Sequence, residues 1–160
     1  MKEYTIQSKV RVYDWEELPQ EDRNLVEAAK DATKGSYAPY SGFCVGAAAC
    51  LKNGTVVIGS NQENVAYPSG LCAERTTLFA ANAQYPDQPV LSLAIAARNQ
   101  DGFLSQPITP CGACRQVISG VEQRFNQPIR ILLYGTDGTH IIDGIEALLP
   151  LQFADSYLSR

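Results

Sequence analysis

The chain has 160 residues, 45% of them hydrophobic, with a formal charge of −4 and a pI near 5.0. That length suits one domain, read as 1–160, with a core of its own, and is too short for two of ordinary size. The acidic balance gives phosphates no basic field, which argues against a nucleic-acid partner. No stretch approaches the roughly 18 consecutive apolar residues of a membrane span.

Residues 1–14 read as an extended or irregular N-terminal extension. It opens on Met1-Lys2-Glu3-Tyr4, without the apolar run of a signal peptide, so a cytoplasmic location is expected. From about Pro19 to Lys34, Leu25, Val26, Ala28, Ala29 and Ala32 keep helical spacing, and Glu21 and Asp22 near the start suit the helix dipole. Gly35 follows, as a left-handed cap would favour. After the turn-rich Ser36–Gly42 comes an apolar run, Phe43 to Leu51, then Asn53-Gly54 and the β-branched Thr55–Ile58, a strong β-hairpin signal. Gln62 to Leu71 reads as a loop that leads into a helix from about Cys72 to Ala83, with Leu78, Phe79 and Ala81 on its apolar face.

The order then repeats. Val90–Ala97 reads as a buried strand and Asp101–Thr109 as a loop. Cys111 to about Gln123 reads as a helix with Val117, Ile118 and Val121 inward, and Ile129–Tyr134 as a second buried strand. The tight turn Thr136–Thr139 leads to a short strand, His140–Asp143. It leaves no room for a crossover helix, so the last two strands should be antiparallel neighbours. Ile145–Leu149 reads as a last short helix.

Five cysteines is an odd number. Cys111 and Cys114 form a CxxC at a helix start and Cys72 opens the other helix, a pattern nearer to metal ligation in a reducing compartment than to disulfides. Cys44 and Cys50 fall in the apolar run and read as buried small hydrophobes. Three thiols offer Zn²⁺ one open coordination position, and Glu74, two residues past Cys72, is placed to carry protons beside it. Three thiolates leave zinc with a negative formal charge, so the positive ends of both helices and a guanidinium, Arg75 first, are expected to draw charge from the sulfurs. The CxxC taken alone also suits a thioredoxin-like redox motif or a structural zinc site. A closed site needs a fourth ligand, and the only histidine, His140, has no ligand spacing around it. Glu74 taken alone is an ordinary first-turn glutamate.

Ser36-Tyr37-Ala38-Pro39-Tyr40-Ser41-Gly42-Phe43, Val45–Ala48, Asn61-Gln62-Glu63-Asn64, Tyr67-Pro68, Cys72-Ala73-Glu74-Arg75-Thr76 and Pro110-Cys111-Gly112-Ala113-Cys114-Arg115-Gln116 occur in the order found in the cytidine deaminases of nucleoside salvage. The chain resembles that family over most of its length. The resemblance implies an α/β fold of three layers, α-β-α, around a mixed five-stranded sheet. It implies one zinc per subunit and hydrolysis of cytidine and 2′-deoxycytidine, small-molecule nucleosides, to the uridines and ammonia. It makes Cys72, Cys111 and Cys114 the zinc ligands, Glu74 the proton shuttle and Arg75 a donor to the thiolates. Phe43 matches the aromatic on the pyrimidine, Asn61 and Glu63 the pair on the ribose 3′-hydroxyl, and Ala73 and Tyr67 further substrate contacts.

Short members of the family are homotetramers, and Phe153 is placed like the aromatic that closes a neighbour's site. Read as residues alone, Phe43 also suits a core position, Asn61 and Glu63 solvated loop positions, and Phe153 packing on its own domain. A nucleoside antibiotic such as blasticidin S, deoxycytidylate or a guanine-type base remains an alternative substrate. Cys44 stands where the family usually has proline, Gln62 replaces an aliphatic residue, and the extension and the 101–109 loop are longer than the pattern.

Overall fold

Seven strands form one mixed sheet in a computed structural model that describes residues 1–158: β1 (Arg11–Tyr13), β2 (Cys44–Leu51), β3 (Val56–Ser60), β4 (Val90–Asn99), β5 (Gly102–Phe103), β6 (Arg130–Leu133) and β7 (Thr139–Asp143). Residues 159 and 160 of the expected domain lie outside that range. The spatial order is β1-β7-β6-β4-β2-β3, with β5 paired to the end of β4. Only β4 and β6 run parallel, and the last two strands pair antiparallel as expected. Three helices, α1 (Gln20–Ala32), α2 (Ala73–Gln84) and α3 (Gly112–Phe125), cover the faces.

Both faces of the central strands are buried, which is why their sequences read as unbroken apolar runs rather than alternations. Alternate side chains still serve different layers. Ala47, Ala49, Leu93, Ile95, Ile131 and Leu133 pack with Leu78 of α2 and Ile118 and Val121 of α3. Ala48, Ala94, Ala96 and Leu132 pack with Leu25, Val26 and Ala29 of α1. The alanine-rich β2 lets helices approach closely from both sides. Gly46 marks the tightest point: a Cβ there would overlap the Ala29 carbonyl oxygen and lie 2.6 Å from the Thr33 amide.

The five expected strands are β2, β3, β4, β6 and β7, so the sheet carries two more than expected. Three-residue β1 is too short to show a period, yet it pairs Arg11 with Ile141 and Tyr13 with Thr139 and covers the free edge of β7. Arg11 forms an ion pair with Asp143. Just beyond, Trp15, Phe103 and Tyr134 surround the Lys30 ammonium at 5.0 to 5.4 Å from their ring centres, fastening the extension to α1 and to the β4–β5 hairpin. That hairpin is the second addition, inside the segment read as loop.

Other expectations are corrected locally. Helix α1 stops at Ala32, and Gly35 closes a 3₁₀ turn, Thr33–Gly35, without the left-handed backbone of a cap. A side chain at Gly35 would press on the Ser60 hydroxyl at 3.2 Å, so its smallness serves packing. Phe79 is 47% exposed and points away from the core that takes Leu78 and Ala81. Cys44 and Cys50 are half-buried at the ends of β2, and Val117 is only partly buried. The last short helix is a 3₁₀ turn, Ile145–Ala147. Asp22 is buried against Arg130, Nη2 to Oδ2 2.8 Å, a pairing that the reading as a dipole-favouring acid did not include.

The contact at Gly46 generates a prediction. Gly46→Ala should destabilise the chain by about 3 kcal/mol, because backbone on both sides must shift. Urea denaturation should show an earlier midpoint, and an unchanged midpoint would mean that α1 does not rest on β2 there.

Candidate active site

Cys72 and Cys111 are the N-cap residues of α2 and α3, with extended backbones (φ −71°, ψ 155° and φ −65°, ψ 167°) and no side-chain cap hydrogen bond. An N-cap normally carries Ser, Thr, Asp or Asn, and its absence costs about 1 kcal/mol per helix. Here the sulfurs turn instead toward each other. The loop before α2 is held by paired hydrogen bonds between Gln62 and Leu71, 2.9 and 3.0 Å. Gly59 seats α2 directly on β3, since a Cβ there would lie 2.8 Å from the Thr77 amide, and the Thr77 hydroxyl donates to Ala73 O at 2.8 Å.

The Sγ atoms of Cys72, Cys111 and Cys114 all lie within 4.8 Å of one another, with Cys72–Cys111 at 3.7 Å and Cys111–Cys114 at 3.4 Å. Three sulfurs at about 2.3 Å from one tetrahedral zinc would stand about 3.8 Å apart, so the donors fit that ion. Among the described residues the cluster has no fourth protein ligand, and His140 sits in β7, paired across to Val12 and Leu133. Arg75 Nη2 approaches Cys72 Sγ at 3.8 Å, and Arg75 Nε is buried with no hydrogen-bond partner among the described residues. The Cys114 thiol and the Arg75 guanidinium hold Cys72 down at about 5, against burial. Hydrogen bonding to Cys72 and burial push Cys114 well up. Between these two thiols, negative charge is favoured on Cys72, the one beside the arginine.

Glu74 is 3% exposed, and burial pushes its carboxyl above the usual carboxylate range, with the Cys72 charge adding to the shift. It borders a cavity of about 580 Å³ that also meets Cys72, Cys111, Arg75, Phe43, Asn61, Glu63 and Tyr67. Cys114 and Ala73 are fully buried and do not border it. Asn61 is committed to its own chain: Oδ1 accepts from Val45 N at 2.8 Å and Nδ2 donates to Phe43 O at 2.9 Å. Glu63 accepts from Tyr40 N at 2.9 Å and from the Ser41 amide and hydroxyl, and its carboxyl is lowered chiefly by the Ser41 hydroxyl. Tyr67 meets Tyr40 edge-on at 5.7 Å. Phe153 lies outside the cavity, 60% exposed and stacked on Tyr157, with its carbonyl accepting from Gln116 Nε2 at 2.8 Å.

The model of the cytidine and deoxycytidylate deaminase zinc-binding region matches residues 19–125. The chain belongs to this family. A cytidine deaminase of Halalkalibacterium halodurans is 43% identical over 95 residues, 59% of this chain and 67% of that one. Another, of Sporosarcina psychrophila, is 36% identical over 135 residues, 84% of this chain and 93% of that one. The crystal structure of cytidine deaminase from Burkholderia pseudomallei superposes with a TM-score of 0.70 at 36% identity, covering 85% of this chain and all of that one. The family assignment carries zinc as the cofactor and hydrolytic deamination as the reaction class.

The cavity also includes Tyr40, Ser41, Leu71, Ile108 and Thr109, which were not singled out. Tyr40 and Ser41 stood inside a quoted motif, and Ile108-Thr109 directly precede Pro110-Cys111, so adjacency was the available signal.

The Glu74 shift has a testable sign. Its folded value lies above the unfolded one, so its contribution to stability is complete below the ordinary glutamate range and is lost as pH rises through the raised value. Metal-free Glu74→Gln should therefore resist urea better than the metal-free native chain at about pH 8, and the gap should close by about pH 4. A gap independent of pH would contradict the burial of this carboxyl.

Proposed function

We propose that the chain, as one domain, hydrolyses cytidine and 2′-deoxycytidine to the uridines and ammonia in cytoplasmic pyrimidine salvage, and that it assembles as a homotetramer. The observation that carries this reading is the convergence of Cys72, Cys111, Arg75 and a nearly fully buried Glu74 on one cavity of about 580 Å³. That size falls within the usual range of small-molecule sites.

Cys72, Cys111 and Cys114 hold the zinc. When bound there, zinc supplies Lewis acidity at one open coordination position. Glu74 takes a proton from water and gives it to the ring nitrogen N3, which makes C4 electrophilic. It then passes the second water proton to the departing amine. Oxygen replaces nitrogen on C4, and one ammonia leaves for each water consumed. A carboxyl whose burial lifts it toward working pH suits a group that both accepts and returns protons. Arg75 draws charge from the thiolates through its contact with Cys72.

Phe43 packs on the pyrimidine; Ala73, at the first turn of α2, is buried just behind the cavity wall and would meet the base's polar edge through its backbone once that wall yields to the substrate. Asn61 and Glu63 bind the ribose 3′-hydroxyl. Their bonds to Val45, Phe43, Tyr40 and Ser41 fix both side chains before the nucleoside arrives, leaving one Asn61 N–H and a carboxylate lone pair for it. A free base would leave those groups unpaired, which discriminates against it. Tyr67 lies with Tyr40 at the cavity wall, and Phe153 reaches a neighbouring subunit's site.

Comparing turnover of cytidine, cytosine, cytidine monophosphate and blasticidin S tests the substrate. Cytidine should be fastest, and preference for any other would remove the nucleoside assignment. Glu74→Gln should lose about 10³-fold or more in kcat while keeping its zinc, as measured by ammonia release and metal analysis. Full activity in that variant would sink the proposed proton route. Arg75→Ala should lower kcat or zinc affinity about 10-fold; unchanged values for both would mean that the two helix ends suffice.

A further inference from the structure

We infer that Arg115 is a positioning residue that holds the Ile108–Cys111 wall of the site in place and couples it to the C-terminal segment. The inference rests on the function proposed above for its kinetic consequence, but the contacts stand independently. The loop that delivers Cys111 is secured in two halves. Its first half is pinned to the end of β6: Thr136 N donates to Leu104 O at 3.0 Å, Asp137 N to Ser105 O at 3.1 Å, and Gly135 lets Pro107 pack where a Cβ would be 2.8 Å away.

The second half, Ile108-Thr109-Pro110, has among the described residues no hydrogen bonds except those from Arg115. Arg115 Nε donates to Pro110 O at 2.8 Å and Nη2 to Thr109 Oγ1 at 3.2 Å. Its backbone N–H donates to Cys111 O at 2.9 Å. Nη1 reaches the other way, to Leu148 O at 2.7 Å. One planar guanidinium thus clamps the stretch Thr109-Pro110, just ahead of the N-cap cysteine, to the C-terminal segment. That segment then runs along α3, with Gln116 on Phe153 O at 2.8 Å and Gln123 accepting from Asp155 N at 2.9 Å.

Arg115 stands where helix physics disfavours it. A cation in the first turn opposes the macrodipole, by about 0.3 to 1 kcal/mol. The first turn of α3 carries no acid, and among the described residues no carboxylate pairs with Arg115. Its donors go to carbonyls and a hydroxyl, in the fork geometry that lysine lacks. Removing it leaves Pro110 O, which is buried with its residue, without a donor. Ile108, Thr109 and Cys111 border the cavity, so loosening this stretch moves both a substrate wall and a sulfur.

The test compares zinc-loaded native chain, Arg115→Ala and Arg115→Lys by amide hydrogen exchange, zinc release to a chromophoric chelator, and cytidine kinetics. In Arg115→Ala, exchange of the residue-115 amide, which donates to Cys111 O, should quicken as the loop loosens, zinc release should speed up about 10-fold, and KM should rise about 10-fold with a smaller change in kcat. Arg115→Lys should fall between, because one ammonium cannot serve three acceptors in a plane. Native zinc release and KM in the lysine variant overturn the inference even if the alanine variant fails to fold. A lower Tm with native exchange, zinc release and KM overturns it too, since that is what bulk destabilisation alone would give. If the native chain turns over no cytidine, the function proposed above fails, while exchange and zinc release still decide the role of Arg115.

Discussion

Three sulfurs within 4.8 Å of one another cannot all be charged unless positive charge is placed among them. That electrostatic constraint organises the molecule. Two helices begin at the cluster, so their positive ends face it, and Arg75 lies against Cys72. Even so, Cys72 is pushed toward thiolate while Cys114 is pushed away from it. The donor set is completed electrically by a divalent ion, and zinc suits three thiols with one position left open.

Bringing two helix ends to one point needs close layers, and the sequence supplies them with small residues. Gly46 admits α1 on one face of β2, Gly59 admits α2 on β3, and Gly135 admits the 105–107 loop at the end of β6. The alanines of β2 and β4 keep both layers near the sheet. Glu74 then lies in the first turn of α2 beside the cluster, where burial shifts its proton affinity in the direction that proton transfer requires. Rigidity around the pocket comes from polar side chains spent on backbone: Asn61 on Val45 and Phe43, Glu63 on Tyr40 and Ser41, Arg115 on Pro110 and Leu148.

The cysteine spacing and the hairpin at Asn53-Gly54 were legible because each is a local signal with one structural solution. The central strands and three helices were legible from apolar periodicity, with ends shifted by one or two residues. What the chain order hid was non-local. Strand β1 exists because β7 offers it an edge, and the cage of Trp15, Phe103 and Tyr134 around Lys30 joins residues far apart in sequence. Phe79 fits a helical apolar stripe yet lies exposed, since periodicity marks a face without saying how wide the covered part is. Residues such as Ile108 and Thr109 carry no chemistry of their own and become part of the site only through the loop that Arg115 holds.

The central claim is that this sulfur cluster works by holding one zinc ion beside Glu74. Its most direct test is metal analysis of the purified chain together with cytidine turnover before and after chelation and zinc restoration. The account predicts one zinc per chain, loss of turnover on chelation, and recovery when zinc is returned. A fully active chain without stoichiometric metal would contradict it.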